Sequence, residues 1–406
     1  MVKRITNLLA LDKDLRILLL TSIETSLGSG LWFPLLGLYI TGNLGVAVLM
    51  FGLMTTVGQL ARSLVVFPAG FLSDNFGRKS MIMLSITFSI LALVTLLFVR
   101  ELPWLFFISI FHSLSIAIME PSRSAYIVDV TSQERIGRAY ATLAVFQSFS
   151  SIITTSIAGV IAGVLGFYWL FGIALAIEAI SLIVTAVYLK ESLNRGTVRA
   201  KTSKESLSAQ LRNGLTILRN PPLFAVLFSI VFHQVGLGIQ NPYLTLFTRD
   251  VLLFSLPTIS LILGLRQLGI FLGHFPSGRI VDKFGGEIAF AFHIFVTTPV
   301  MILLTATGNP SFTGLILFSW GLTFGLDNVS RHKLIPKYRQ ESGTATAFGL
   351  ISLIAGVISL ISPTIGGWVW TNFSPETVFY VSASANFVGS LPLFVLWLYN
   401  RSAKVR

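Results

Sequence analysis

Phe67-Pro68-Ala69-Gly70-Phe71-Leu72-Ser73-Asp74-Asn75-Phe76-Gly77 returns 208 positions later as Phe275-Pro276-Ser277-Gly278-Arg279-Ile280-Val281-Asp282-Lys283-Phe284-Gly285. The same shift pairs Gln59 with Gln267, Leu60 with Leu268, Pro34 with Pro242, and Ser122-Arg123 with Ser330-Arg331. A repeat constrains architecture more strongly than any single residue. A shift close to half of 406 residues reads as one unit duplicated in the same orientation.

At 53% hydrophobic and 11% charged, the chain is not a soluble globule, which carries about a quarter charged residues. One crossing of the hydrocarbon core takes about 20 apolar residues. The apolar runs and their polar breaks predict helices near 17–40, 46–70, 80–99, 103–122, 139–164, 168–189, 222–248, 255–278, 288–307, 311–330, 343–367 and 377–399. With the repeat, this predicts an all-α membrane protein of twelve transmembrane helices in two pseudo-symmetric six-helix bundles, 1–189 and 222–406. The linker at 190–221 sets Leu207, Leu211, Leu215 and Leu218 at helical spacing among polar residues, the pattern of an amphipathic surface helix. Parallel repeats of this kind place a solute site near the bilayer midplane.

The formal charge of +12 comes from 29 basic against 17 acidic residues. Arg100 and Arg249 fall on one side of the predicted spans, and Arg62 and Arg266 lie within them. Every other cation falls on the opposite side, which predicts a multi-pass protein of the cell membrane with both termini cytoplasmic. Cations spread over seven short segments give no patch for nucleic acid. The basic N-terminal segment leads into a long apolar run that holds Glu24 and has no clear small-residue cleavage site, so it reads as retained. The absence of cysteine excludes disulfides, thiolate metal sites, iron-sulfur clusters and a Cys nucleophile. His112, His233, His274, His293 and His332 lack zinc-motif spacing, so no metal and no cofactor is expected.

In the loop between the second and third spans, Gly70, Leu72, Asp74, Gly77, Arg78 and Lys79 carry the pattern G-x-L-x-D-x-x-G-R-K, and at these residues the chain resembles the major facilitator superfamily. Gly278, Asp282 and Gly285 repeat it, with Gly286 and Glu287 in place of the basic pair. The resemblance implies a secondary carrier with a cavity lined by spans 1, 4, 7 and 10, and a gating loop in which Arg78 pairs with Asp129. A topological role for the loop through its positive charge is the alternative. Two patterns of the family's proton-linked drug exporters are missing. Ser109 and His112 stand where the span 4 arginine and glutamine would be, and span 5 keeps only Gly159 of its glycine pattern. Ser362-Pro363-Thr364-Ile365-Gly366-Gly367 resembles that second pattern but lies in span 11.

Ionisable side chains at membrane depth cost about 2.5–3.5 kcal/mol each on insertion scales, which makes each one a functional candidate. Thr21, Glu24, Thr25, Gly28, Ser29 and Trp32 form a polar stripe on span 1, and Glu24 is the candidate proton-coupling acid. A structural pair with Arg62 is the alternative. Arg266 and Gln267 in span 8 could hold an anionic substrate or answer a carboxylate. With Gln59, His112, His233, Gln240 and Asn241 they complete the cavity candidates, and each histidine has a plain packing role as its alternative. Glu120 and Asp327, followed by Arg123 and Arg331, read as gate or end anchors. Glu178 sits mid-span in the sixth helix without an assigned role beyond a buried hydrogen bond or a lateral partner.

The sequence has no H-E-x-x-H, no G-x-S-x-G turn and no phosphate loop, which speaks against an enzyme or intrinsic ATP drive. The expected activity is proton-coupled efflux of lipophilic or drug-like molecules by a monomer working through alternating access. Uptake of a sugar, organic anion or other metabolite, and a non-transporting receptor on the same scaffold, are the alternatives.

Overall fold

A computed structural model describes residues 13–193, 220–338 and 344–405, and every secondary-structure element among them is helical. Twelve helical columns follow one another. They are α1 (Lys13–Trp32, continued through Phe33–Leu35, Leu36–Leu38 and Tyr39–Asn43), α2 (Val48–Phe76), α3 (Arg78–Phe98), α4 (Leu102–Val130), α5 (Ile136–Val164) and α6 (Phe167–Tyr188). Then come α7 (Pro221–Gln240, continued through Asn241–Tyr243 and Leu244–Asp250), α8 (Leu256–Phe284), α9 (Gly286–Ala306), α10 (Pro310–Tyr338), α11 (Thr344–Ser359 with Ser362–Asn372) and α12 (Pro375–Val405). Ten of these are long and apolar enough to cross a membrane, and the other two, α1 and α10, carry Glu24 and Asp327. The protein is an all-helical, multi-pass membrane protein.

Several helices run beyond the apolar segments that announce them. Span 4, expected to stop near 122, continues through Pro121 to Val130, and α10 reaches Tyr338. Membrane helices accommodate proline because neighbouring helices and side chains satisfy the freed backbone groups. Where proline does break the ladder, it breaks it twice in register. Phe33–Leu35 and Asn241–Tyr243 are tight 3-10 turns around Pro34 and Pro242, residues that lack the N–H the α-helix needs.

The chain divides into two compact units, Met1–Ala200 with Ser255–Gly264, and Lys201–Phe254 with Leu265–Arg406. The amphipathic helix expected within 190–221 falls mostly outside the described residues.

Each unit has its own apolar core, and the two cores are built from corresponding residues. Leu15, Leu18, Leu19, Ile82, Ile86, Tyr126, Ile127 and Leu143 pack together in the first. Their counterparts under the shift of 208, namely Leu223, Val226, Leu227, Phe290, Ile294, Leu334, Ile335 and Ile351, pack together in the second. Aromatic contacts repeat as well. Tyr39 meets Phe171 edge-on at 4.8 Å, and Phe247 meets Phe379 at 4.7 Å.

The turn that closes the repeated motif has the same backbone in both units. Gly77 has φ 103° and Gly285 φ 95°, a region that L side chains enter only with strain.

Candidate functional site

In the first unit, Glu178 on α6 is 1% exposed. The Ser89 hydroxyl of α3 donates to its Oε1 at 3.0 Å, and its Oε2 is buried with no hydrogen-bond partner. Room for this carboxyl comes from Gly28 on α1, where a Cβ would lie 2.8 Å from Oε1. One helical turn earlier on the same face of α1 is Glu24. It lies beside Ser181 and within electrostatic range of Glu178, and its Oε2 is also buried without a partner. The Ser181 hydroxyl donates to the Thr21 carbonyl at 3.4 Å, fastening α6 to α1. The span 1 stripe therefore turns Thr21 and Gly28 toward α6.

Arg62 does not neutralise this pair: it reaches Glu120 at 3.1 Å with both side chains about half exposed, which sets aside the alternative of a Glu24–Arg62 ion pair. Trp32 is fully buried, its ring edge-on to His112 at 4.9 Å. His112 in turn stacks on Phe33 at 4.1 Å, and Phe33 is 47% exposed. Gln59 is partly buried.

The signature loop forms a charge cluster. Buried Arg78 reaches Asp74 and Asp129 at 2.9 Å each, and its Nη1 donates to the Ser73 carbonyl. Ser192 adds a hydroxyl to the same Asp129 oxygen at 3.0 Å. Glu191 accepts the Arg78 backbone N–H at 2.8 Å, a carboxylate at the start of α3 where the helix dipole favours it. Lys79 donates to the Ala186 carbonyl at 2.6 Å. Gly70 and Gly278 have open space where a Cβ would go, so local crowding does not explain them.

In the second unit the cluster recurs with its charges exchanged. Lys337 occupies the position equivalent to Asp129, and Glu287 the position equivalent to Lys79. Glu287 binds Lys337, Tyr338 and Asn400. Asp282 turns outward to Lys333 at 2.8 Å.

A second polar string runs through the interior of the second unit. His233 and Gln240 on α7 are buried at 0% and 1% exposure. Ser382 on α12 donates to Gln240 Oε1 at 2.7 Å, and Asn386 Oδ1 meets His233 Nδ1 at 2.7 Å. Both α7 candidates thus pack against α12, whereas Asn241 is exposed. Arg331 forks onto Asp327, with Nη2 to Oδ2 at 2.8 Å. Arg266 finds no carboxylate among the described residues. It lies over Trp320 at 4.7 Å and Phe324 at 5.3 Å, a cation–π site. Gln267 beside it is partly buried.

The two polar centres occupy matching places. Gly28 and Glu178 correspond to Gly236 and Asn386, and Ser85 and Ser115 correspond to His293 and Thr323. In each unit the glycine admits the facing polar side chain, since a Cβ on Gly236 would lie 2.3 Å from Asn386 Nδ2. Motif spacing missed Glu178, Ser89, Asn386 and His293 as site residues. The shift of 208, applied to interior polar positions, is the signal that finds them.

A family model described as Major Facilitator Superfamily matches residues 18–326 and 226–406. The multi-drug resistance efflux pump PmrA of Streptococcus pneumoniae serotype 4 is 23% identical over 379 residues, covering 91% of this chain and 92% of that protein. Multidrug resistance protein 2 of Bacillus subtilis is 24% identical over 370 residues, covering 88% of each. Among solved structures, the nucleoside transporter NupG superposes with a TM-score of 0.77 at 16% identity, covering 95% of this chain and 99% of that one, which bears on the fold alone.

Proposed function

The chain belongs to the Major Facilitator Superfamily, and from that premise we propose that it exports lipophilic or drug-like compounds in exchange for protons. It is a transporter of small molecules and not an enzyme. The observation that carries the coupling reading is the Glu24 and Glu178 pair, two carboxyls in one helical unit, each with a buried oxygen left without a partner. Two acids close together at membrane depth resist carrying both charges at once, because each buried charge is costly and the two repel. A proton taken from one side and released to the other is the exchange a drug antiporter needs. Export follows from the names of relatives collinear with most of this chain.

In this reading the exposed Phe33 ring, backed by buried His112 and Trp32, offers an aromatic contact for flat lipophilic substrates. Gln59 and Arg62 in the first unit and Asn241, Arg266 and Gln267 in the second are further substrate candidates, each within its own unit. Gln240 and His233, held by α12, set the shape of α7. The Arg78 cluster with Asp74 and Asp129 serves as the gating loop. The protein works as a monomer by alternating access, with both termini in the cytoplasm.

The test uses liposomes containing the purified protein and an acidic lumen. Wild type concentrates a fluorescent lipophilic dye in the lumen beyond protein-free liposomes, and Glu24→Gln does not. Gradient-driven uptake unchanged in Glu24→Gln removes Glu24 from coupling, and dye accumulating only with the gradient reversed makes the chain an uptake carrier. No flux of any solute makes it a receptor.

A further inference from the structure

His233 on α7, His293 on α9 and Asp327 on α10 come from three helices of the second unit, and one donor atom of each lies within 4.8 Å of the others. Both histidines are fully buried. Their hydrogen bonds fix which nitrogen carries the proton. Asn386 Nδ2 donates to the Ser382 carbonyl at 2.8 Å, which turns Oδ1 toward His233. An amide oxygen only accepts, so His233 Nδ1 is the protonated nitrogen. The Thr323 hydroxyl donates to the Trp320 carbonyl at 2.8 Å, leaving its oxygen to accept from His293 Nδ1 at 2.7 Å. In both rings the lone pair is therefore on Nε2, and both Nε2 atoms are buried without a partner.

We propose that His233, His293 and Asp327 form a binding site for a first-row divalent transition-metal ion of the zinc class. Metal-bound histidines characteristically donate the other ring N–H to an oxygen that fixes tautomer and orientation. Asn386 and Thr323 do this here, each on its own ring. A bound ion accepts both lone pairs at once.

The rest of the site selects the ion. Arg331 takes one lone pair on each Asp327 oxygen and cancels the carboxylate charge, while leaving further acceptor positions on those oxygens. A neutral site whose strongest ligands are imidazoles suits zinc, cobalt or nickel. Calcium and magnesium require many hard oxygens. Phe290 and Phe324 border the rings at 6.4 and 5.0 Å, giving the site an apolar wall. Two ligands of one zinc ion stand at most about 4.4 Å apart, roughly twice a 2.0–2.2 Å bond, so small side-chain rotations close the arrangement.

The experiment uses tag-free, full-length protein in detergent, stripped with chelator and titrated with Co²⁺ and then Zn²⁺. The visible cobalt absorption should saturate at one ion per chain, vanish on Zn²⁺ addition, and be accompanied by a raised melting temperature. His233→Gln and His293→Gln should each weaken Zn²⁺ binding at least tenfold. Asn386→Leu, which keeps all three ligands but frees one ring, should weaken it by about 10- to 100-fold. His274→Gln and His332→Gln should bind as wild type does. Variants that elute as monodisperse protein and still bind one Zn²⁺ with wild-type affinity overturn the proposal. So does wild type that binds no metal while its histidine NMR signals titrate, which assigns the pair to a proton instead.

Discussion

At Gly28 the absence of one carbon decides where a carboxyl can go. An alanine there would push its Cβ against Glu178 Oε1, an overpacking that typically costs about 1–3 kcal/mol. Gly28→Ala should therefore lower the melting temperature in detergent by several degrees. Gly172→Ala on α6, where a Cβ meets open space, should leave it unchanged or slightly raised. The turn glycines give a matched pair. Gly77→Ala and Gly285→Ala each force an L side chain to φ near 100°, at about 1–3 kcal/mol. Gly77→Ala also crowds Glu191, so it should melt lower than Gly285→Ala. Equal melting of all these variants and wild type would show that the close approaches have no energetic weight. Glu24 was visible as an acid in an apolar run, but the partner that matters was not. Arg62 stood at a suitable depth in sequence, and depth alone does not say which face of a helix a side chain occupies. The face is settled by the packing of α1 on α6, through Gly28 and Ser181.

Between elements, the ends of α4 and α10 show how a duplicated contact survives the loss of its residues. Arg78 pairs with Asp129 in the first unit, and in the second Glu287, one position past Gly286 at the Arg78 equivalent, pairs with Lys337, so the cation and anion have changed helices. The contact predicts a double-mutant cycle. Glu287→Lys and Lys337→Glu should each destabilise the protein, and the double exchange should recover about 1 kcal/mol of coupling, a value held down by the half-exposed Lys337. Additive losses would mean that the two charges do not interact. Arg78→Ala should cost more, about 2–3 kcal/mol, because a buried guanidinium with two carboxylates leaves them unanswered. Helix order and number were legible from apolar runs, since membrane length sets span length. Helix ends were less so. The polar last turns of α4 and α10 continue the same helices without the apolar composition that marks a span.

Over the whole molecule, the duplication is the property from which the rest follows. Eight core positions per unit correspond pairwise, although only half of the pairs are identical, because packing preserves volume and position more than identity. Charge placement along the same chain predicts its orientation, and the absence of cysteine makes labelling clean. A cysteine at Glu101 should react with an impermeant reagent on intact cells, and one at Glu134 only after lysis. The reverse pattern would invert the topology. The histidine centre was not legible in spacing, since its three residues come from separate helices and meet only in three dimensions. The most direct test of the central claim measures protons instead of substrate. In weakly buffered liposomes holding the protein and no pH gradient, an imposed dye gradient should drive protons the opposite way, and Glu24→Gln or Glu178→Gln should abolish that movement. Dye crossing at the wild-type rate with no accompanying proton movement would contradict exchange transport by this carboxyl pair.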